Sequence, residues 1–146
     1  MKLTSIIVDD ERLARTELRS LLGEFSEISI IGEAENLTEA VKIIQTNKPD
    51  VVFLDIQLQN ENGFELLEKV EKDFKLIFVT AFDEFAIRAF EINALDYLLK
   101  PVNPERLAKT LERLLETDEK SEDCWRKLEY EDRLFLELGE RSRFLK

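Results

Sequence analysis

Short apolar runs alternate five times with longer amphipathic stretches over residues 1–118 of this 146-residue chain, and that order predicts an α/β fold. The runs are 4–8, 28–33, 51–55, 76–80 and 96–99, and several are apolar nearly throughout. Continuous apolar strands of this length belong in a parallel sheet covered on both faces, where no face alternates toward water. Parallel neighbours need right-handed crossovers, so the expected architecture is a (βα)5 doubly wound sheet with the flavodoxin-like strand order 2-1-3-4-5.

Each element has its own signal. The first run, Thr4-Ser5-Ile6-Ile7-Val8, precedes Ala14, Leu18, Leu21, Leu22 and Phe25, which recur at helical spacing. The second, Ile28 to Glu33, precedes Leu37, Ala40, Val41 and Ile44, with Asn36 and Glu39 placed as a capping box. The third runs from Val51 to Asp55 and the fourth from Leu76 to Thr80. Around the helix expected after the fourth lie Phe82, Phe85, Phe90 and Ile92. If some of these are core, others are exposed, and exposed apolar patches mark interaction surfaces. The fifth run, Asp96 to Leu99, leads to a helix carrying Leu107, Leu111, Leu114 and Leu115, opened by Asn103 as N-cap and Pro104 in the first turn.

After Glu116 the pattern changes. Residues 119–131 are charge-dense and fit either a linker or an extension of the last helix. In residues 132–146, Leu134-Phe135-Leu136-Glu137-Leu138 and Arg143-Phe144-Leu145 flank Gly139-Glu140-Arg141-Ser142, which reads as a hairpin or as the first strands of another unit. A lone hairpin is marginal in water and needs a surface to pack on.

Composition narrows the setting. No apolar run approaches the roughly 18 residues of a membrane span, and the apolar stretch after Met1 is too short for a signal-peptide core. The single cysteine, Cys124, cannot close an internal disulfide, which suits a reducing cytoplasm. Net charge is −11, and residues 1–118 hold 24 acidic against 14 basic side chains. So acidic a body repels nucleic acid and lacks the basic stripe that neutralises phosphates.

In an open α/β sheet, ligands bind beyond the carboxyl ends of the strands, where the strand order reverses. Here that point lies between the first and third strands, which end in Asp9-Asp10 and in Asp55. The fourth strand ends in Thr80, and Lys100-Pro101 follows the fifth. Two like charges about 4 Å apart repel by roughly 4 kcal/mol at a surface-like dielectric. A hard cation relieves that repulsion, and carboxylates with retained water are the ligands Mg²⁺ prefers. A cation, a lysine and a hydroxyl around one carboxylate suit a phosphoryl group, with Asp55 as the nucleophile that forms an acyl phosphate.

These residues, Asp9-Asp10-Glu11, Asp55, Gly63, Thr80-Ala81 and Tyr97-Leu98-Leu99-Lys100-Pro101, resemble the receiver domain of bacterial two-component response regulators over residues 1 to about 118. The resemblance implies Mg²⁺ held by Asp10, Asp55 and the backbone carbonyl of Gln57, with Asp9 acting through water. It implies Asp55 as acceptor of phosphate from the phosphohistidine of a sensor histidine kinase. The donor is another molecule, because this chain contains no histidine. It assigns Thr80 a hydrogen bond and Lys100 an ion pair to the phosphoryl group. Tyr97 is to rotate inward as Thr80 moves, and Pro101 is to follow a cis peptide bond. The run from Asp55 to Gly63 lacks the proline that many receivers carry four residues after the acceptor, which leaves the loop less restrained.

Val79 to Phe90, together with Ala94 to Pro101, is similar to receivers of the LytTR class, and residues 132–146 are similar to the opening of a LytTR DNA-binding domain. This implies a transcription regulator that reaches DNA only through the rest of that domain, while the apolar residues around the fourth helix predict dimerisation on phosphorylation through the fourth helix, fifth strand and fifth helix. The alternative is a stand-alone receiver acting by protein–protein contact. A receiver is not an enzyme in the ordinary sense, since it catalyses only its own phosphorylation and dephosphorylation. Two rivals fit less well. A haloacid-dehalogenase-type phosphatase carries its Asp-x-Asp on the first strand, whereas the nucleophile candidate here is on the third. A flavin-binding module needs a phosphate-cradling loop where this chain has Asp9-Asp10-Glu11.

Overall fold

The computed structural model describes residues 2–117. The expected linker at 119–131, the expected second unit at 132–146 and Cys124 lie outside the described residues. In chain order the elements are β1 (Leu3–Val8), α1 (Arg12–Leu22), β2 (Ile28–Ala34), α2 (Leu37–Asn47), β3 (Val51–Leu54), β4 (Gln57–Leu58), β5 (Glu61–Asn62), a 3₁₀ turn (Gly63–Glu65), α3 (Leu66–Lys69), β6 (Lys75–Thr80), α4 (Ala86–Glu91), β7 (Asp96–Leu99) and α5 (Pro104–Thr117).

The main sheet has the order β2-β1-β3-β6-β7, and every pairing in it is parallel. Counting its strands along the chain gives 2-1-3-4-5, the expected flavodoxin-like arrangement. Because strand side chains alternate, each central strand feeds two cores. Ile6, Val8, Val52, Leu54, Leu76 and Phe78 join Leu37, Ala40 and Ile44 of α2, Leu66 of α3 and Ala89 of α4 in one cluster. Ile7, Val51, Phe53, Ile77 and Val79 join Leu18 and Leu22 of α1 with Leu107, Leu111 and Leu114 of α5 in the other. Burying one such side chain contributes about 1.5–3 kcal/mol, so these apolar faces fix the helices more firmly than helix propensity does.

Differences from the sequence reading are local. The first helix stops at Leu22 with Gly23 as its cap, and Phe25 packs on the same cluster from the following turn. Asn36 caps α2 as expected, accepting the Glu39 N–H at 2.9 Å. The Glu39 carboxylate reaches one residue further back than a capping box requires, to the Glu35 N–H at 3.0 Å. Asn103 caps α5 through the N–H groups of Glu105 (2.8 Å) and Arg106 (3.1 Å). The third strand ends at Leu54. Asp55 still donates its N–H to Val8 at 2.9 Å, and the chain then leaves the sheet and folds into the small antiparallel ribbon β4–β5.

Candidate functional site

Strands β1 and β3 are neighbours, so the residues that follow them, Asp9 and Asp55, lie side by side at the carboxyl edge. Both are buried, and Asp10 is half-buried beside them. Asp9, Asp10 and Asp55 each bring a carboxylate oxygen within 4.8 Å of the others. Lys100, delivered by the exit of β7, donates from Nζ to Asp9 Oδ2 at 2.7 Å and to Asp55 Oδ2 at 3.0 Å, with Glu11 Oε1 at 4.0 Å. The Lys100–Pro101 peptide bond is cis, and the Lys100 N–H is held by the Thr80 carbonyl at 2.8 Å. Thr80 is fully buried as the last residue of β6, with its hydroxyl accepting the Phe82 N–H at 3.4 Å.

Electrostatics follow from this crowding. Burial pushes the Asp55 carboxyl above its usual range; Lys100 opposes the rise, the charge of Asp9 adds to it, and the nearby Thr80 hydroxyl favours the ionised form. Burial alone would lower the Lys100 ammonium, but its bonds to Asp9 and Asp55 outweigh that and raise it. Lys100 thus bridges two of the three clustered carboxylates. The donor set is all carboxylate oxygen, hard and anionic, which fits Mg²⁺ and does not fit a soft metal.

The family model for the response regulator receiver domain matches residues 6–112. The chain belongs to that family. Among curated relatives, it is 52% identical over 122 residues to an uncharacterized response regulatory protein of Vibrio cholerae, covering 82% of this chain and 52% of that protein. It is 49% identical over 111 residues to the sensory transduction protein LytT of Bacillus anthracis, covering 74% of this chain and 45% of LytT. It is also 49% identical over 111 residues to the transcriptional regulatory protein BtsR of Escherichia coli, covering 75% of this chain and 46% of BtsR. The chain thus spans about half the length of the curated relatives it matches. Among solved structures, it is similar to the response regulatory domain of mrkE from Klebsiella pneumoniae, with TM-score 0.71, 33% identity, and coverage of 86% of this chain and 99% of that one.

The remaining motif residues of this receiver fall around the acidic cluster. Gly63 lies where a Cβ would stand 2.3 Å from the Asp55 carbonyl oxygen, so no side chain fits there without moving the Asp55 backbone. Gln57 donates its N–H to Asp55 Oδ1 at 3.3 Å. Tyr97 is half-buried, its ring centroid 6.1 Å from that of Phe78, and its hydroxyl donates to the Phe82 carbonyl in the β6–α4 loop. Burial pushes the Tyr97 phenol above its ordinary value, and the charges of Asp83, Glu84 and Asp55 add to the shift. Of the four apolar residues expected around α4, Phe85 and Ile92 pack on the core, Phe90 is half-buried and Phe82 is exposed. Ile87 and Leu99 are exposed as well, which the sequence reading did not single out.

Sequence reasoning also missed the charged supports. Arg15 donates from Nη1 to the Asp9 carbonyl at 2.6 Å and from Nε to Glu33 at 3.1 Å, while Arg19 holds the other Glu33 oxygen at 2.6 Å. Burial alone would raise the Glu33 carboxyl, but Arg19 and Arg15 overcome it and hold it below the usual range. Asp96 is buried under Arg106, which contacts both its oxygens at 2.6 and 2.7 Å, and Arg113 at 3.2 Å, with the Thr110 hydroxyl donating as well. The available signals were basic residues recurring one helical turn apart, Arg15 with Arg19, and the seven-residue step from Arg106 to Arg113, each opposite an acidic residue in a strand.

Proposed function

We propose that this receiver accepts a phosphoryl group on Asp55 from the phosphohistidine of a sensor histidine kinase and thereby switches an output module. The observation that carries the reading is the Lys100 ammonium bridging Asp9 and Asp55 with Asp10 alongside, three clustered carboxylates with ion pairs from Lys100 to two of them among the described residues. Mg²⁺ is the expected counter-charge, which Asp10, Asp55 and the Gln57 carbonyl would hold, with Asp9 through water. When bound, it neutralises oxygens of the incoming phosphoryl group.

The protein's own groups do the rest. A carboxylate oxygen of Asp55 attacks phosphorus, the N–P bond of the donor breaks, and the imidazole nitrogen keeps the electron pair and takes up a proton from solvent. Lys100, already within 3.0 Å of Asp55, moves onto a phosphoryl oxygen. The Thr80 hydroxyl donates to another, giving up the Phe82 N–H. Because Tyr97 holds the Phe82 carbonyl in that same loop, displacement of Thr80 releases Tyr97 to turn inward. The switch is then read on the face of α4, β7 and α5, where Phe82, Ile87 and Leu99 are exposed and a second phosphorylated copy docks.

The output is transcription regulation through a LytTR-type DNA-binding domain in a cytoplasmic protein. Support comes from the similarity to LytT and BtsR and from the strand pattern of residues 132–146. No helix among the described residues is long and apolar enough to cross a membrane.

The test is incubation with phosphoramidate, a phosphohistidine mimic, in Mg²⁺ or in EDTA, followed by intact mass. Wild type is expected to gain one phosphoryl group only with Mg²⁺, and Asp55→Asn none. Equal labelling of Asp55→Asn would move the acceptor elsewhere.

A further inference from the structure

The loop that carries the acceptor is held from outside. Between Asp55 and Gly63 the chain forms a ribbon with two residues per arm, Gln57 opposite Asn62 and Leu58 opposite Glu61. A ladder that short does not hold itself together in water. Asn60, in its turn, takes a left-handed φ of 63°. Asn62 spends its side chain locally, accepting the Phe64 N–H at 2.8 Å. Glu61 instead reaches across 24 residues: its Oε1 accepts the Leu37 N–H at 2.9 Å.

That N–H belongs to the first turn of α2, where helix geometry provides no partner, and a carboxylate there is also favoured by the helix dipole. The same helix end already has Asn36 on the Glu39 N–H, so α2 is a fixed post. Glu61 ties the ribbon to that post. Its opposite number is Leu58, a buried anchor, and the next residue along that arm is Gln57, whose N–H rests on Asp55 Oδ1.

We infer that Glu61 is a positioning residue of the phosphorylation site: its tether to the start of α2 fixes the ribbon's register and so holds Gln57 against Asp55 before metal or phosphate arrives. This inference rests on the reading of Asp55 and Gln57 given above. Pre-forming a loop removes its ordering cost from the binding step, so losing the tether weakens binding without touching a ligand. The carboxylate's charge is not the operative feature. A glutamine in place of Glu61 could accept the same N–H, whereas an alanine could not. A proline at Gln59 would restrain the loop by another route, because it pre-sets the first turn position of a turn whose next residue has positive φ.

The experiment compares the full chain with Glu61→Ala, Glu61→Gln and the double variant Glu61→Ala/Gln59→Pro. Mg²⁺ binding is read by calorimetry, loop order by amide hydrogen exchange at Leu37 and Gln57 without metal, and acyl-phosphate lifetime by intact mass. Glu61→Ala is expected to weaken Mg²⁺ binding roughly tenfold and to speed exchange at both amides. Glu61→Gln is expected to stay within about twofold, because its amide oxygen can accept the same Leu37 N–H. The double variant is expected to recover most of the lost affinity. Unchanged Mg²⁺ binding in Glu61→Ala overturns the inference, as does an equal loss in Glu61→Gln, which would make the effect one of charge. A wild type that binds no Mg²⁺ and takes no phosphate overturns the receiver reading itself, and this inference with it.

Discussion

Asp10→Asn should make the metal-free protein more stable and the Mg²⁺-loaded protein less so. Asp10 has two carboxylate neighbours, Asp9 and Asp55, with ligand oxygens within 4.8 Å. At that separation each like-charge pair costs about 0.9 kcal/mol in water and about 3.5 kcal/mol at an effective dielectric near 20. Lys100 offsets part of this, although its hydrogen bonds go to the other two carboxylates. A net gain of about 1–3 kcal/mol follows for the neutral amide, or roughly 4–12 °C in Tm for a domain of this size. Mg²⁺ reverses the order. At roughly a thousandfold excess over its Kd it stabilises wild type by about 4.1 kcal/mol, more than the repulsion relieved in the variant, which lacks one ligand and gains far less. The assay is thermal unfolding at neutral pH in EDTA and again in Mg²⁺. The sign of the Asp55 shift agrees: a carboxyl raised in the folded state contributes stability that is full below its unfolded pKa and is lost as pH rises through the folded one. The metal-free protein should therefore lose stability as pH rises above the ordinary carboxylate range, and less so in Mg²⁺. An Asp10→Asn variant less stable than wild type in EDTA would refute the claim that the cluster is held together under repulsion.

Gly63→Ala should disable phosphorylation and lower stability by about 2 kcal/mol or more, because the new Cβ would stand 2.3 Å from the Asp55 carbonyl oxygen; acyl-phosphate yield and denaturant midpoint measure the two effects. Asp96→Asn should cost about 3 kcal/mol near pH 7 by leaving Arg106 and Arg113 without their buried partner. Burial alone would raise the Asp96 carboxyl, but Arg106, Arg113 and Thr110 hold it below its ordinary range. Its contribution is therefore complete above the unfolded carboxylate pKa and disappears as pH falls through the folded one, so the two unfolding curves should converge below about pH 4. Leu99→Glu should leave phosphorylation intact and abolish dimer formation in sedimentation with Mg²⁺ and beryllofluoride, since Leu99 is 42% exposed on β7 and contributes little to the core.

The sheet was legible because burial on both faces writes itself into sequence as uninterrupted apolar runs, and 51–54 and 76–80 are entirely buried strands. The acidic cluster was legible for a topological reason: a parallel order places every strand's carboxyl end on one rim, so Asp9, Asp55, Thr80 and Lys100 could be brought together by counting strands. What stayed hidden depends on side-chain reach. Arg15 finds the Asp9 carbonyl, and Glu61 finds the Leu37 N–H, through contacts that no periodicity encodes. The ribbon at 57–62 was missed because two residues per arm carry no alternating pattern. In the loop that lacks the proline, Gly63 lies against the Asp55 carbonyl and Glu61 accepts the Leu37 N–H, contacts that the loop's sequence does not announce.

The proposed switch stands or falls on Asp55 as the group that carries phosphate. Treating the full chain with acetyl phosphate and Mg²⁺, reducing the product with borohydride and sequencing the peptides by mass spectrometry reads the acceptor out by position. Acyl phosphates are cleaved to homoserine, so homoserine is expected at position 55 and unmodified aspartate at positions 9 and 10. Homoserine at either of those positions, or none anywhere in a folded protein that binds Mg²⁺, would overturn the assignment.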